Sequence, residues 1–173
     1  MQALDFWKVT IMDKANHLES FLDLLEKEQV QFCVIGGQGV NAYVDPLVSL
    51  DLDLAVVTDQ VAQMESLLAK QYKVSRFPHS LNIELPDSDL RIQIQTDARY
   101  GEFAIHASRR NVLGLEMPVA RLEDILQGKI WAIQDPDRRG SKRQKDLADV
   151  ARILESYPEL KARVPNEVLA RLV

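Results

Sequence analysis

Val34-Ile35-Gly36-Gly37-Gln38-Gly39-Val40, followed shortly by Ser49-Leu50-Asp51-Leu52-Asp53-Leu54, is the stretch that decides the fold. Gln31 to Ile35 is short, apolar and β-rich, and it stops at Gly36-Gly37-Gln38-Gly39, where the chain must turn sharply. A brief helical stretch follows, and Pro46 ends it. The next strand is expected over residues 51–57. Side chains alternate along a strand, so Asp51, Asp53 and Ala55 share one face while Leu52, Leu54 and Val56 share the other. Two carboxylates therefore sit side by side.

Glycine turn and carboxylate pair make chemical sense as one unit. A backbone free of Cβ atoms lets triphosphate oxygens approach peptide N–H groups, and adjacent carboxylates hold Mg²⁺ against the same phosphates. A lone Asp-x-Asp also reads as solvated surface; the Gly pair upstream is what favours a site. Gly37-x-Gly39-x-x-Ala42 satisfies a loose dinucleotide fingerprint as well. That fold needs a full helix and then an acidic residue at a strand end about 20 positions on, whereas Pro46 cuts the helix short and Asp51 and Asp53 arrive too early.

Outward from this unit, Ile11, Ala15, Leu18, Leu22 and Leu25 recur at helical spacing and predict an amphipathic helix over 12–29. Val61, Met64, Leu67 and Leu68 predict another over 59–71, followed by a strand at 72–77 and a hairpin of 81–85 with 90–95. From Arg121 onward helical signals dominate, at 122–134 and 144–154, with Asp135 to Ser141 between them. The expectation is an α/β (α+β) chain with a mixed sheet and flanking helices. It forms a single domain over 1–173, with an α/β core at 1–110 and a helical carboxyl-terminal lobe at 111–173.

Composition agrees. At 173 residues, 46% hydrophobic and 27% charged, this is one ordinary globular domain. A chain of this size buries roughly 70% of its unfolded surface, so no disulfide or metal staple is needed. A single Cys33 excludes an intrachain disulfide and fits a reducing compartment. No apolar run suits a membrane span, and the amino terminus lacks the order of a signal peptide, so a cytoplasmic protein without membrane contact is expected. A net charge of -5 argues against a generally cationic surface but leaves room for a local basic patch.

Taken together, Val34 to Val40 and Ser49 to Leu54 resemble the paired signature of the polymerase-β-type nucleotidyltransferase superfamily in its minimal bacterial form. Lys129-Ile130-Trp131-Ala132 and Lys145-Asp146-Leu147-Ala148-Asp149 resemble the third and fourth motifs of the branch containing the abortive-infection toxin nucleotidyltransferases. The resemblance implies Asp51 and Asp53 as metal ligands, Gly36 and Gly37 as the nucleotide turn, and Lys129 and Asp146 as functional. Two departures stand out. Gln38 occupies a place where members usually carry Ser or Thr, and Gln93 and Gln95 precede Asp97 on the strand where many carry a third acidic residue.

Lys129 can also be read from its own helix, where it falls inside the apolar stripe of Leu122, Ile125, Leu126 and Ile133. A lysine there either snorkels to the edge of the core or meets a carboxylate or phosphate, because an unpaired buried ammonium is costly. Asp146 and Asp149 lie one turn apart, and Lys142 and Lys145 precede them by four residues, so an ordinary surface ion-pair ladder is an equal alternative to a functional role. Arg138-Arg139-Gly140-Ser141-Lys142-Arg143-Gln144-Lys145 is the one dense basic cluster, expected in the turn between two helices, where it either forms a solvated face or meets triphosphate or nucleic-acid backbone.

The reaction these readings imply is Mg²⁺- (or Mn²⁺-) dependent transfer of a nucleoside monophosphate from an NTP to an acceptor hydroxyl on tRNA, a protein or a small molecule. Asp51, Asp53, Lys129 and Asp146 are the expected catalytic set, with Gly36, Gly37, Gln38, Ser49, Arg139 and Lys142 on the nucleotide. A toxin role with an antitoxin protein as partner is what the resemblance suggests. The competing reading is a catalytically weak nucleotide- or RNA-binding protein that keeps the fold; Gln38, Gln93 and Gln95 are its evidence. His17, His79 and His106 lack metal-ligand spacing, and Cys33 is expected in the core.

Overall fold

The computed structural model describes residues 16–172. A helix, α1, covers residues 16–27; the first residues of the helix expected from 12 lie outside the described part. Then come β1 (Phe32–Ile35), α2 (Gly36–Asn41), β2 (Asp51–Val56), α3 (Val61–Ala69), β3 (Lys73–Phe77), β4 (Ser80–Glu84) and β5 (Arg91–Gln95). The chain continues through β6 (Ser108–Val112), β7 (Leu115–Val119), α4 (Leu122–Gln134), α5 (Gly140–Ser156) and α6 (Asn166–Leu169). The seven strands form one mixed sheet in the order β3-β4-β5-β2-β1-β7-β6.

The two strands of the deciding stretch lie at the centre of this sheet. β1 pairs antiparallel with β2, placing Ile35 opposite Asp53, and β2 pairs parallel with β5, placing Asp51 opposite Arg91 and Asp53 opposite Gln93. Alternation on β2 holds as expected: Leu52 and Leu54 are fully buried, while Asp51 and Asp53 are partly open. Phe21 and Leu25 of α1, Met64 and Leu68 of α3, and Ile92 and Ile94 of β5 join them in the core. Burial of these side chains, each worth about 1.5–3 kcal/mol, holds the carboxylate strand in place.

Three expectations need correction. α2 begins at Gly36 itself and has only six residues, and a Cβ on Gly39 would come within 3.0 Å of Ile125 Cδ1 on α4. That glycine serves helix packing, not a dinucleotide. α5 begins at Gly140, not at 144, so most of the basic cluster is the first two turns of a helix. Apolar periodicity is silent in that polar segment, although Arg143 N already donates to Arg139 O at 2.9 Å. Finally, the hairpin β6–β7 was not anticipated. β7 pairs with β1, so the sheet runs to Val119 and a core boundary at 110 falls inside this hairpin.

Candidate active site

Where β1 ends and α2 begins, the backbone passes directly over β2. Gly36 has φ +65°, and a Cβ there would lie 2.3 Å from Asp53 Oδ2. Only glycine satisfies both the backbone and the approach. Gly37 is different: its nearest neighbour would be Asp149 Oδ2 at 4.0 Å, so its exposed face borders open space. That space is a cleft of about 350 Å³ bounded by β2, β5, α2, α4 and α5.

One wall carries the paired carboxylates. Asp51 Oδ1 forms an ion pair with Arg91 Nε at 2.7 Å, and the Asp51 backbone N–H reaches Ser49 Oγ at 3.2 Å. Asp53 has no hydrogen-bond donor among the described residues. Its carboxyl is pushed above the ordinary range by burial, with the neighbouring Asp51 charge adding to the shift and Lys129, Lys142 and Arg138 opposing it. A half-buried carboxylate without a donor, beside a second carboxylate, is suited to a divalent cation. Among the described residues no group of three or more His, Cys, Asp or Glu gathers that could hold a metal ion.

The opposite wall settles the two open readings of the helices. Lys129 Nζ lies 3.0 Å from Asp146 Oδ1 and 2.8 Å from Asp149 Oδ2. The lysine is thus not a snorkelling residue over a loose helix end; α4 and α5 bring it to two carboxylates. Asp146, 2% exposed, takes Arg138 on its other oxygen at 2.9 Å, and Asp149 takes Arg152 at 2.8 Å. The surface ladder from Lys142 and Lys145 is therefore replaced by a half-buried cluster of two carboxylates and three cations. Within it the two carboxylates outweigh burial and hold the Lys129 ammonium above its ordinary pKa, so it is charged. Both oxygens of Asp146 are engaged by cations, Oδ1 by Lys129 and Oδ2 by Arg138, so this residue orients both side chains.

Lys142 and Lys145 also line the cleft and have no ion pair among the described residues. Arg139 is exposed outside the lining, and Gln38 is buried, its Nε2 donating to Ser49 O at 3.0 Å. Gln38 thus holds the loop that leads into Asp51. Asp97 lies beyond β5, where it accepts from Arg99 N at 2.9 Å, and it does not reach the cleft. Sequence reasoning missed Arg152 and Asn41. Arg152 donates to Asn41 Oδ1 at 2.9 Å and to Asp45 O at 2.6 Å, while Asn41 Nδ2 donates to Leu47 O at 2.7 Å. These tie α5 to the loop between α2 and β2 across more than a hundred positions of chain, and no local pattern announces such a contact.

Comparison with known proteins follows this geometry. A family model described as nucleotidyl transferase AbiEii toxin, type IV TA system, matches residues 55–172. That span includes Lys129 and Asp146 and starts just past Asp53. No curated protein matches the chain. Among solved structures, ANT(2'')-Ia in complex with adenylyl-2''-tobramycin is similar with a TM-score of 0.55 at 15% identity, covering 96% of this chain and 99% of that one. The Megavirus polyadenylate synthase gives 0.54 at 17% identity, over 86% of this chain and 32% of that one. The lincosamide antibiotic adenylyltransferase LnuA, lincomycin-bound, gives 0.50 at 15%, over 80% and 96%. At these identities the structures share the fold, and the family model carries the assignment: the chain belongs to the nucleotidyl transferase AbiEii toxin family.

Proposed function

We propose that the protein transfers a nucleoside monophosphate from an NTP to an acceptor hydroxyl, as one half of a toxin–antitoxin pair. The observation that carries this reading is the two-sided cleft. Asp51 and Asp53 face it from β2, while Lys129, Lys142 and Lys145 face it from α4 and α5. A bound Mg²⁺ or Mn²⁺ would neutralise the triphosphate and lower the pKa of the attacking hydroxyl. Asp51 and Asp53 would hold that cation. Lys142 and Lys145 are free to pair with phosphate oxygens, and Lys129, fixed by Asp146 and Asp149, presents a charge that need not reorganise during the reaction. Gly37 leaves room for phosphate beside the first turn of α2.

In the transfer, the acceptor oxygen forms a bond to the α-phosphorus, the bond to the bridging oxygen breaks, and its electron pair leaves on pyrophosphate. Gln93 and Gln95 face the cleft where a base would be useful, but amides do not accept a proton at neutral pH. General-base duty for the hydroxyl proton would therefore pass to another cleft group, to phosphate or to solvent, or be dispensable. The same two glutamines favour the second reading, a nucleotide-binding protein with weak catalysis. Incubation with each labelled NTP, metal, and total cellular RNA and protein separates them. Labelled acceptor with stoichiometric pyrophosphate supports the transferase, and metal-dependent NTP binding without pyrophosphate supports the binder.

A further inference from the structure

Arg91 occupies an unusual position in this sheet. It stands at the start of β5, with Asp51 as its register partner on β2 and Glu84 as its partner on β4. Arg91 and Glu84 are exposed on the face where Asp51 is partly open. Arg91 thus has a carboxylate on either side, one in the cleft and one outside it. It pairs with the inner one, Nε to Asp51 Oδ1 at 2.7 Å, with its side chain 72% exposed. Glu84 meanwhile makes only an exposed pair with Lys73, at 3.1 Å.

A guanidinium on Asp51 Oδ1 takes a coordination position that a cation would use, and its charge repels one. We propose that Arg91 is an internal competitor for the cation at Asp51, displaced toward Glu84 when a divalent ion binds. The inference rests on the metal role of Asp51 and Asp53 proposed above. Two features fit it. The cleft-lining residues of β5 are the neutral Gln93 and Gln95, so Arg91, at the strand's start beside Asp51, is the one residue of β5 that alters the charge at the carboxylate pair. The pair is also solvent-exposed, hence weak enough to be exchanged.

The test is titration of the full chain with Mn²⁺, following free Mn²⁺ by electron paramagnetic resonance, with thermal melts as folding controls. Arg91→Gln keeps most of the side chain and removes the charge; it should bind Mn²⁺ about tenfold more tightly, the effect of one nearby exposed charge on a divalent ion. Glu84→Gln removes the alternative partner and should bind a few-fold more weakly than wild type. Asp53→Asn should abolish binding in every background. If Asp53→Asn abolishes binding while Arg91→Gln matches wild type, Arg91 does not compete and the inference is overturned with the metal site intact. Unchanged affinity in Glu84→Gln removes the exchange. Wild-type Mn²⁺ binding in both Asp51→Asn and Asp53→Asn would instead overturn the metal site, and the competition with it.

Discussion

Asp53→Asn should make the protein more stable and inactive at once. The carboxylate is half-buried, lacks a donor and stands on the same strand face as Asp51. Two residues along a strand span about 6.6 Å, and unit charges at that distance repel by about 0.6–2.5 kcal/mol for effective dielectric constants of about 80 to 20. Arg91 on Asp51 offsets part of this, so relief of about 1 kcal/mol is expected, or about 2–4 °C in Tm for a chain of this length. The sign follows from linkage. Asp53 has a folded pKa above the ordinary 3.8, so between those values the folded state keeps a proton that the unfolded state has lost. Its destabilisation is fully present above the folded pKa and fades as pH falls through it. The assay is a set of melts in EDTA across pH, repeated with Mg²⁺ and NTP. Asp53→Asn should melt above wild type at neutral pH and converge with it in acid. Ligand should raise the wild-type Tm and leave the variant unmoved. A variant that melts lower in EDTA at neutral pH yet still gains stability from Mg²⁺ and NTP would refute the electrostatic argument.

Gly36→Ala should cost about 2 kcal/mol or more, from positive φ and the overlap with Asp53, whereas Gly37→Ala should fold normally and lose NTP affinity; equal chemical-denaturation midpoints for the two would contradict this. Lys129→Met leaves Asp146 with Arg138 and Asp149 with Arg152, so the fold should survive with a loss of about 1–3 kcal/mol while transfer falls at least tenfold. Full pyrophosphate release by that variant rules out a role for its charge. Asp97→Asn keeps an acceptor for Arg99 N but loses the ion pair with the Arg99 guanidinium, about 0.2–1 kcal/mol for an exposed pair, with transfer unchanged; a drop in rate without a drop in Tm would bring Asp97 back into the site.

Much of the fold was legible because it is written in local periodicity. The helix at Leu122–Gln134 was expected at those bounds, and β2 nearly so, since apolar and polar positions alternate without ambiguity. The β6–β7 hairpin was not legible. β6 is an edge strand with most residues exposed, so it lacks an apolar face, and its turn uses Leu113 at φ 54° with Gly114 at φ 83°. Leu-Gly is a poor signal for a turn that needs positive φ twice, and packing overrides the local preference.

By itself the sequence determined that Asp51 and Asp53 share a face and that glycine must stand before them, because strand alternation and the lack of a Cβ act within a few residues. Only the tertiary structure decided what Lys129 meets. An apolar stripe interrupted by a lysine is compatible with snorkelling, with phosphate and with carboxylate. The choice depended on α5 packing against α4 so that Asp146 and Asp149 arrive within 3.0 Å. Likewise the pairing of Arg91 with Asp51, and the place of Gln93 beside Asp53, follow from parallel pairing of β2 with β5, set between strands far apart in the chain. Charges in one helix or strand fix which side chains can reach a site; the long-range packing of the apolar faces fixes which of them do.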